Sequence, residues 1–436
     1  MIKVLIIAYW YPPLNVIGSV RALKLSRYFP EYDITPVVFT TETGTFEKSD
    51  FYDPGMEIPN ITVYRTKTLD TSQLLKTIIG FFLPGSVGSM KKSAAVGQSR
   101  MSRIYHNIFS LPDTQLGWCL LSRRKLLKIC RKENIQLIIS TAPPFSGHLL
   151  ASYIRKKTGI PWIADFRDLW SNSNLNYAKS GLFARIDRRL EVSSIRRSDK
   201  IVSVTAPYAR LLSDLHNRDV TVITNGFDED DYADTVSKDR RFSIVYTGIM
   251  YPKFRDPHLL FIALRELLDA EDLEESAVDI SFYGRRLEYV HDLMVQYGLE
   301  KCVSLHGYLP SAEIKKKQMA AQVLLMIDWM GDSPESQGVG AKIYEYLGAG
   351  STILCLGKYR GAVAEILEET NTGFFVTTAG EVKEAILSLY RDYRKHGATP
   401  YAPDAEAVKK YTYREVAGRF AALIHRMVSD RSSNTQ

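Results

Sequence analysis

The sequence predicts an α/β protein built as two doubly wound, Rossmann-like domains facing across a cleft. Three observations carry this reading. Short β-branched or aromatic runs alternate with longer amphipathic stretches, the pattern of parallel sheets covered on both faces. The alternation stops at 225–241, which is rich in Asp and poor in apolar residues, and then restarts. The chain has 436 residues, 45% hydrophobic and 24% charged, so it is long enough to bury large cores without disulfide or metal staples.

In chain order, the first series of strands is expected at 3–8, 34–39, 135–140, 162–164 and 201–204. Each run is too short for a typical helix. Helical stripes are expected at 20–29, 123–133, 145–157 and 183–197. The second series places strands at 242–246, 279–283, 303–306, 323–327, 352–355 and 374–376. Its helices are expected at 257–268, 287–297, 342–347 and 382–393, with an amphipathic helix at 413–427 closing the chain. The domains are thus 1–225 and 240–410, joined at 225–241, with a C-terminal helix and tail over 411–436 that packs back on the first domain.

Composition excludes several classes. Cys119, Cys130, Cys302 and Cys355 are far apart and show no CxxC spacing, against a disulfide framework or a zinc ribbon. No apolar run reaches the about 18 residues that span a bilayer. The opening MIKVLIIAYWYPP has a short apolar stretch and no small-residue cleavage site, so it reads as a buried first strand in a cytoplasmic protein. The net charge of +7 is uneven: residues 71–132 hold eleven Lys or Arg against one acid, Asp113, which makes that stretch +10 and the rest −3. Such a field favours anionic partners. Within it, 73–83 carries a helical apolar stripe followed by Lys91 and Lys92. This marks 72–110 as an insertion that touches the headgroups of an anionic membrane, a peripheral association. Nucleic acid is not expected as a partner, because the basic stretch has few interleaved aromatics.

Ligands of doubly wound sheets bind beyond the carboxyl ends of the strands. The turn after the first strand, YWYPPLNVIGSVR, lacks GxGxxG, which disfavours a nicotinamide enzyme. No GxxxxGK[ST], HExxH or GxSxG occurs, which leaves a P-loop ATPase, a zinc protease and a serine hydrolase without support. Polar clusters at predicted strand ends remain. Gly18 precedes a helix and lets backbone N–H groups approach an anion; a plain turn is the other reading. Asp165, Arg167 and Asp168 follow a strand among aromatics. The acids at 228–231 look like a metal-binding DxD but read as a solvated run in the linker. In the second domain Lys253 and Arg255 follow a strand and suit a diphosphate. Gln337, Gly338, Gly340 and Lys342 open a helix whose first N–H groups can cradle phosphate, and Glu345 further along can accept from two ribose hydroxyls.

At these residues the sequence resembles the family 4 glycosyltransferases, retaining enzymes of the GT-B fold. The stretches that carry the resemblance are IKVLIIAYWYPPLNVIGSVRALKLSRYF, STAPPFSGHLLASYIRKKTGIPWIADFRDLW, ITNGFD, YTGIMYPKFRDPHLL, VSLHGYLP and AKIYEYLGAGSTIL. The segment ADFRDLW is similar to enzymes of bacterial surface-polysaccharide synthesis. The resemblance implies a nucleotide-sugar donor held by the second domain and a glycan or lipid-linked glycan acceptor held by the first. It implies a hexosyl- or N-acetylhexosaminyl-type transferase at the inner face of the cell membrane. No cofactor is implied beyond the nucleotide-sugar as co-substrate, and no metal is required. Carried over by residue, Gly18 approaches the diphosphate and the transferred sugar. Glu345 is the second acid of Glu-x7-Glu and holds the ribose. Arg255 stands where the family often has a Lys against the diphosphate, with Lys253 nearby, and Gly340 binds phosphate or sugar through its backbone.

The chain departs from the pattern in three places. The first acid, which contacts the transferred sugar in relatives, is Gln337. The family's first donor-phosphate Arg is Ile249. The position of its active-site His is Arg167, which does not give up a proton, so Arg167 would act electrostatically while Asp165 or Asp168 orients the acceptor. These departures keep two rivals in play: a non-catalytic nucleotide-sugar-binding or scaffold protein, and a nucleotide-sugar epimerase or hydrolase.

Overall fold

A computed structural model describes residues 1–44, 56, 60–68, 111–172, 179, 181–252, 254–330 and 339–433. The chain forms two compact units, 1–224 with 417–436, and 225–416.

Unit 1 holds a seven-stranded parallel sheet in the order β3-β2-β1-β4-β5-β6-β7. The strands are β1 Ile2–Ile7, β2 Ile34–Thr41, β3 Thr62–Thr66, β4 Leu137–Ala142, β5 Trp162–Phe166, β6 Lys200–Ser203 and β7 Val220–Val222. The helices are α1 Ile17–Tyr28, α2 Leu116–Lys132, α3 Ser146–Thr158, α4 Gly181–Ile195 and α5 Ala206–His216. The central strands β1, β4 and β5 are apolar on both faces because helices cover both, and their inner residues are fully buried. One core joins Leu5, Ile7, Phe39, Trp118, Ile138, Trp162 and Trp170. The strand order reverses between β1 and β4, so that crevice is the switch point.

Unit 2 repeats the plan with six parallel strands in the order β10-β9-β8-β11-β12-β13. These are β8 Phe242–Thr247, β9 Val278–Tyr283, β10 Val303–His306, β11 Val323–Ile327, β12 Thr352–Leu356 and β13 Gly373–Val376. The helices are α6 His258–Asp269, α7 Glu288–Gln296, α8 Ser311–Ala320, α9 Lys342–Ala349, α10 Ala362–Thr370, α11 Ala379–His396 and α12 Ala405–Lys409. Apolar cores lie on both faces of this sheet. Its switch point is between β8 and β11. The last helix, α13 Tyr413–Ser433, contributes its residues from 417 onward to unit 1, where Phe420 lies under Arg21 and Gly418 against Tyr32.

The structure departs from the sequence reading in detail. β3, β7, α5, α8, α10 and α12 are not marked by the sequence pattern. The stretch 225–241 is not a free linker: it belongs to unit 2 and contains a one-turn 3-10 helix, Glu229–Tyr232. Asp228 is buried and caps that turn through Asp230 N–H, and Asp231 pairs with Lys315 at 2.9 Å, so the acids are local fasteners and not a wholly solvated run. All four cysteines are free and buried. The expected insertion at 72–110 lies outside the described residues. Among the described residues no helix is long and apolar enough to cross a membrane.

Candidate functional site

Two polar clusters sit at the two switch points, one in each unit. In unit 1 the loop after β5 carries Arg167 and Asp168. The Arg167 guanidinium donates to the carbonyls of Gly18 at 2.6 Å, Ala142 at 3.3 Å and Pro143. It thereby ties α1 to the loop after β4. A Cβ on Gly18 would stand 3.0 Å from Trp10 Cδ1 and 3.3 Å from Arg167 Nη1, so a side chain here would press on both. Asp168 is half-buried; burial lifts its carboxyl above the usual range, and the Arg167 charge pulls it back down.

Asp165 needs a correction. The sequence offers either Asp165 or Asp168 to orient the acceptor, but Asp165 lies inside β5, fully buried, with both oxygens 2.9 Å from the Arg21 guanidinium. Arg21 also donates to the carbonyls of Thr224 and Ile223. A buried carboxylate so matched is a structural tie with no oxygen left at the surface. Behind it, His148 Nδ1 bonds Ser140 Oγ at 2.7 Å, and Ser140 Oγ accepts from Trp162 Nε1 at 2.8 Å. Burial, then the Arg167 charge, pushes the His148 imidazole down to about 3, so it is neutral.

In unit 2 the loop after β8 and the loop after β11 meet, with Met330 N–H donating to Phe254 O at 2.7 Å. Arg255 lies over the rings of Tyr251 and Trp329, whose centroids are 5.6 and 5.8 Å from its guanidinium carbon. Phe254 and Trp329 stack at 4.4 Å. A Cβ on Gly340 would lie 3.7 Å from Arg255 Nη2, so the guanidinium stands beside the backbone that opens α9. Lys342, the first residue of α9, reaches back over β8: Nζ is 2.8 Å from Tyr246 Oη and 4.2 Å from the ring centroid. It fills the space a side chain at Gly248 would take, with Cε and Nζ both 2.2 Å from the ideal Cβ. Burial, then the Arg255 charge, drives the Lys342 amine well below its ordinary value, and Glu345 offsets this in part. Glu345 is half-buried on the next part of α9 and accepts a long bond, 3.5 Å, from Gln318 Nε2, which also bonds Thr247 Oγ1 at 2.9 Å.

The structure therefore brings Arg255, Gly340, Lys342 and Glu345 together at one switch point. Lys253, Gln337 and Gly338 lie outside the described residues. Sequence reasoning marks the loop that starts at Gly248 but gives no role to Gly248, Tyr246, Tyr251, Asp328 or Trp329. Asp328 directly follows β11; burial raises its carboxyl to about 6 against the pull of the Trp329 N–H and Arg255. The available signal was position: each of these residues lies at, or just past, the carboxyl end of β8 or β11. Two basic side chains beside a helix N-terminus, one of them with its proton affinity lowered by burial, make a site that gains from an incoming anion.

Residues 88–231 match the Glycosyltransferase Family 4 model. Among solved structures, Anabaena HepE in complex with UDP is 14% identical, covers 98% of this chain and 100% of its own, and has a TM-score of 0.64. Sucrose-phosphate synthase from Thermosynechococcus elongatus is 11% identical over 99% of this chain and 100% of its own, at 0.62. A mutant of S. aureus TarM, solved with fondaparinux, α-GlcNAc-glycerol and UDP, is 12% identical over 97% and 99%, at 0.58. No curated protein sequence matches. Each unit has the doubly wound parallel sheet of the GT-B glycosyltransferases.

Proposed function

With a Glycosyltransferase Family 4 segment on a GT-B fold as the premise, we propose that this chain transfers a sugar from a nucleotide-sugar to a glycan or lipid-linked glycan acceptor, with retention, in surface-polysaccharide synthesis. The observation that carries the proposal is the cluster of Arg255 and Lys342 at the start of α9, with Glu345 on the same helix.

The chemistry follows from charge. Breaking the bond between the anomeric carbon and the diphosphate oxygen leaves negative charge on the diphosphate. Arg255, Lys342 and the first N–H groups of α9 stabilise that charge, and their positions are fixed before reaction by the Tyr251, Trp329 and Tyr246 rings. A bound diphosphate favours the ammonium form of Lys342, so donor binding takes up a proton there. Glu345 accepts from the ribose hydroxyls. On unit 1, Asp168 orients the acceptor hydroxyl, while Arg167 shapes the loop that presents it. The transferred sugar is a hexosyl or N-acetylhexosaminyl group, and the reaction runs at an anionic membrane surface.

The test is to incubate the protein with a panel of nucleotide-sugars and extracted lipid-linked glycans, and to read the product's anomeric configuration. Transfer with retention is expected. Product from donor alone would favour an epimerase or hydrolase, and binding without turnover would favour a scaffold.

A further inference from the structure

In unit 1, α2 and α4 flank α3, and their exposed sides carry a pattern that the chemistry above does not use. On α2, Leu120, Leu121, Arg124, Lys128 and Arg131 are exposed and share one stripe at helical spacing. On α4, Leu182, Arg185, Ile186 and Arg189 do the same. On α2 the leucines precede the cations, and on α4 aliphatic and cationic residues alternate. The aliphatic residues are open to solvent: Leu120 48%, Leu121 54%, Leu182 67% and Ile186 38%.

The two apolar ends lie at the same edge of the sheet. Trp118 of α2 bonds Thr66 at the carboxyl end of β3, and Lys179, just ahead of α4, donates to Pro112 O, just ahead of α2, at 3.1 Å. Arg167 and Asp168 follow β5 at this edge. The cations are not answered by acids. α2 contains no Asp or Glu. The two acids of α4 turn inward, Asp187 to Trp170 and Lys179, Glu191 to Ser171 N–H. Among the described residues the ion pairs of these helices are Lys132 with Glu133, Asp187 with Lys179 and Glu191 with His216, and none uses the five stripe cations.

We propose that this two-helix face docks on a bilayer rich in anionic phospholipid, with the Leu and Ile side chains entering the acyl boundary and the Arg and Lys side chains at the phosphates. Exposed aliphatic groups next to unanswered cations fit a lipid surface, where both are satisfied at once. A nucleic acid would satisfy only the cations. The inference deepens the membrane part of the proposed function, and its test reads no sugar transfer, so either can fail alone.

The full-length protein is spun with vesicles of phosphatidylcholine, alone or mixed with phosphatidylglycerol. Binding to the mixed vesicles only is expected. R124Q/K128Q/R131Q lowers it by about a hundredfold and L121S/L182S by about tenfold, each with an unchanged melting temperature. Equal partition into both vesicle types would overturn the proposal, as would indifference to both variants. Loss of melting temperature with vesicle binding intact would place the stripe against the protein itself. Binding of duplex DNA that displaces vesicles and is lost only in the cation variant would make it a nucleic-acid surface.

Discussion

Arg21 and Asp165 show how a residue's role turns on burial. Read in sequence, Asp165 heads a charged loop; in the fold it is a sealed partner of Arg21, 0% exposed, inside the sheet. Removing one member of such a pair leaves a buried charge uncompensated and costs about 3–5 kcal/mol. Asp165→Asn is therefore expected to lose stability on that scale in a denaturant titration, while the protein that stays folded keeps its nucleotide affinity. A catalytic loss with unchanged stability would return Asp165 to the site. His148 makes the second residue-scale prediction. Its folded value of about 3 lies below the ordinary 6.5, so the unfolded chain binds the extra proton in between. Its contribution is complete above about pH 6.5 and is lost as pH falls toward 3. In His148→Leu the stability measured across that window should fall less steeply with acid than in the native protein.

At the scale of elements, the ends of β8 and β9 shape the candidate site of unit 2. Gly248 has φ +135 and Gly284 φ +143, and a Cβ on Gly284 would lie 1.9 Å from the Gly248 carbonyl oxygen. Gly284→Ala should destabilise unit 2 by about 3 kcal/mol or more and weaken nucleotide binding with it. Thermal unfolding with and without nucleotide checks this, and an unaffected variant would mean that the two loops move apart freely. The strands that build these ends were legible because continuous apolar runs such as FSIVYT and VLLMI have no other stable place than a sheet covered twice. What escaped had weaker patterning. β7 is three residues with an exposed VTV edge, and β3 is an edge strand exposed at its start. α8 reads SAEIKKKQMA and buries only Gln318 fully, so its stripe is nearly absent. In the site, Arg255 and Glu345 were legible from residue type and spacing. The Tyr251 and Trp329 cradle was not, because it joins the ends of strands about 80 residues apart in sequence.

At the scale of the whole molecule, the same doubly wound plan is used twice, with cations and a helix N-terminus at the switch point of unit 2 and a carbonyl-bound arginine at that of unit 1. In the proposed mechanism the charge compensation comes from side chains and backbone dipoles, so transfer is expected to persist in the presence of a chelator; abolition by EDTA, restored by Mg²⁺, would contradict this. The most direct test of the central claim is a calorimetric titration of UDP into the native protein and into Arg255→Ala, in buffers of different protonation enthalpy. The account predicts binding with proton uptake in the native protein, and affinity lower by at least about tenfold in the variant. Equal affinity in both, with no proton taken up, would contradict a diphosphate site at Arg255 and Lys342.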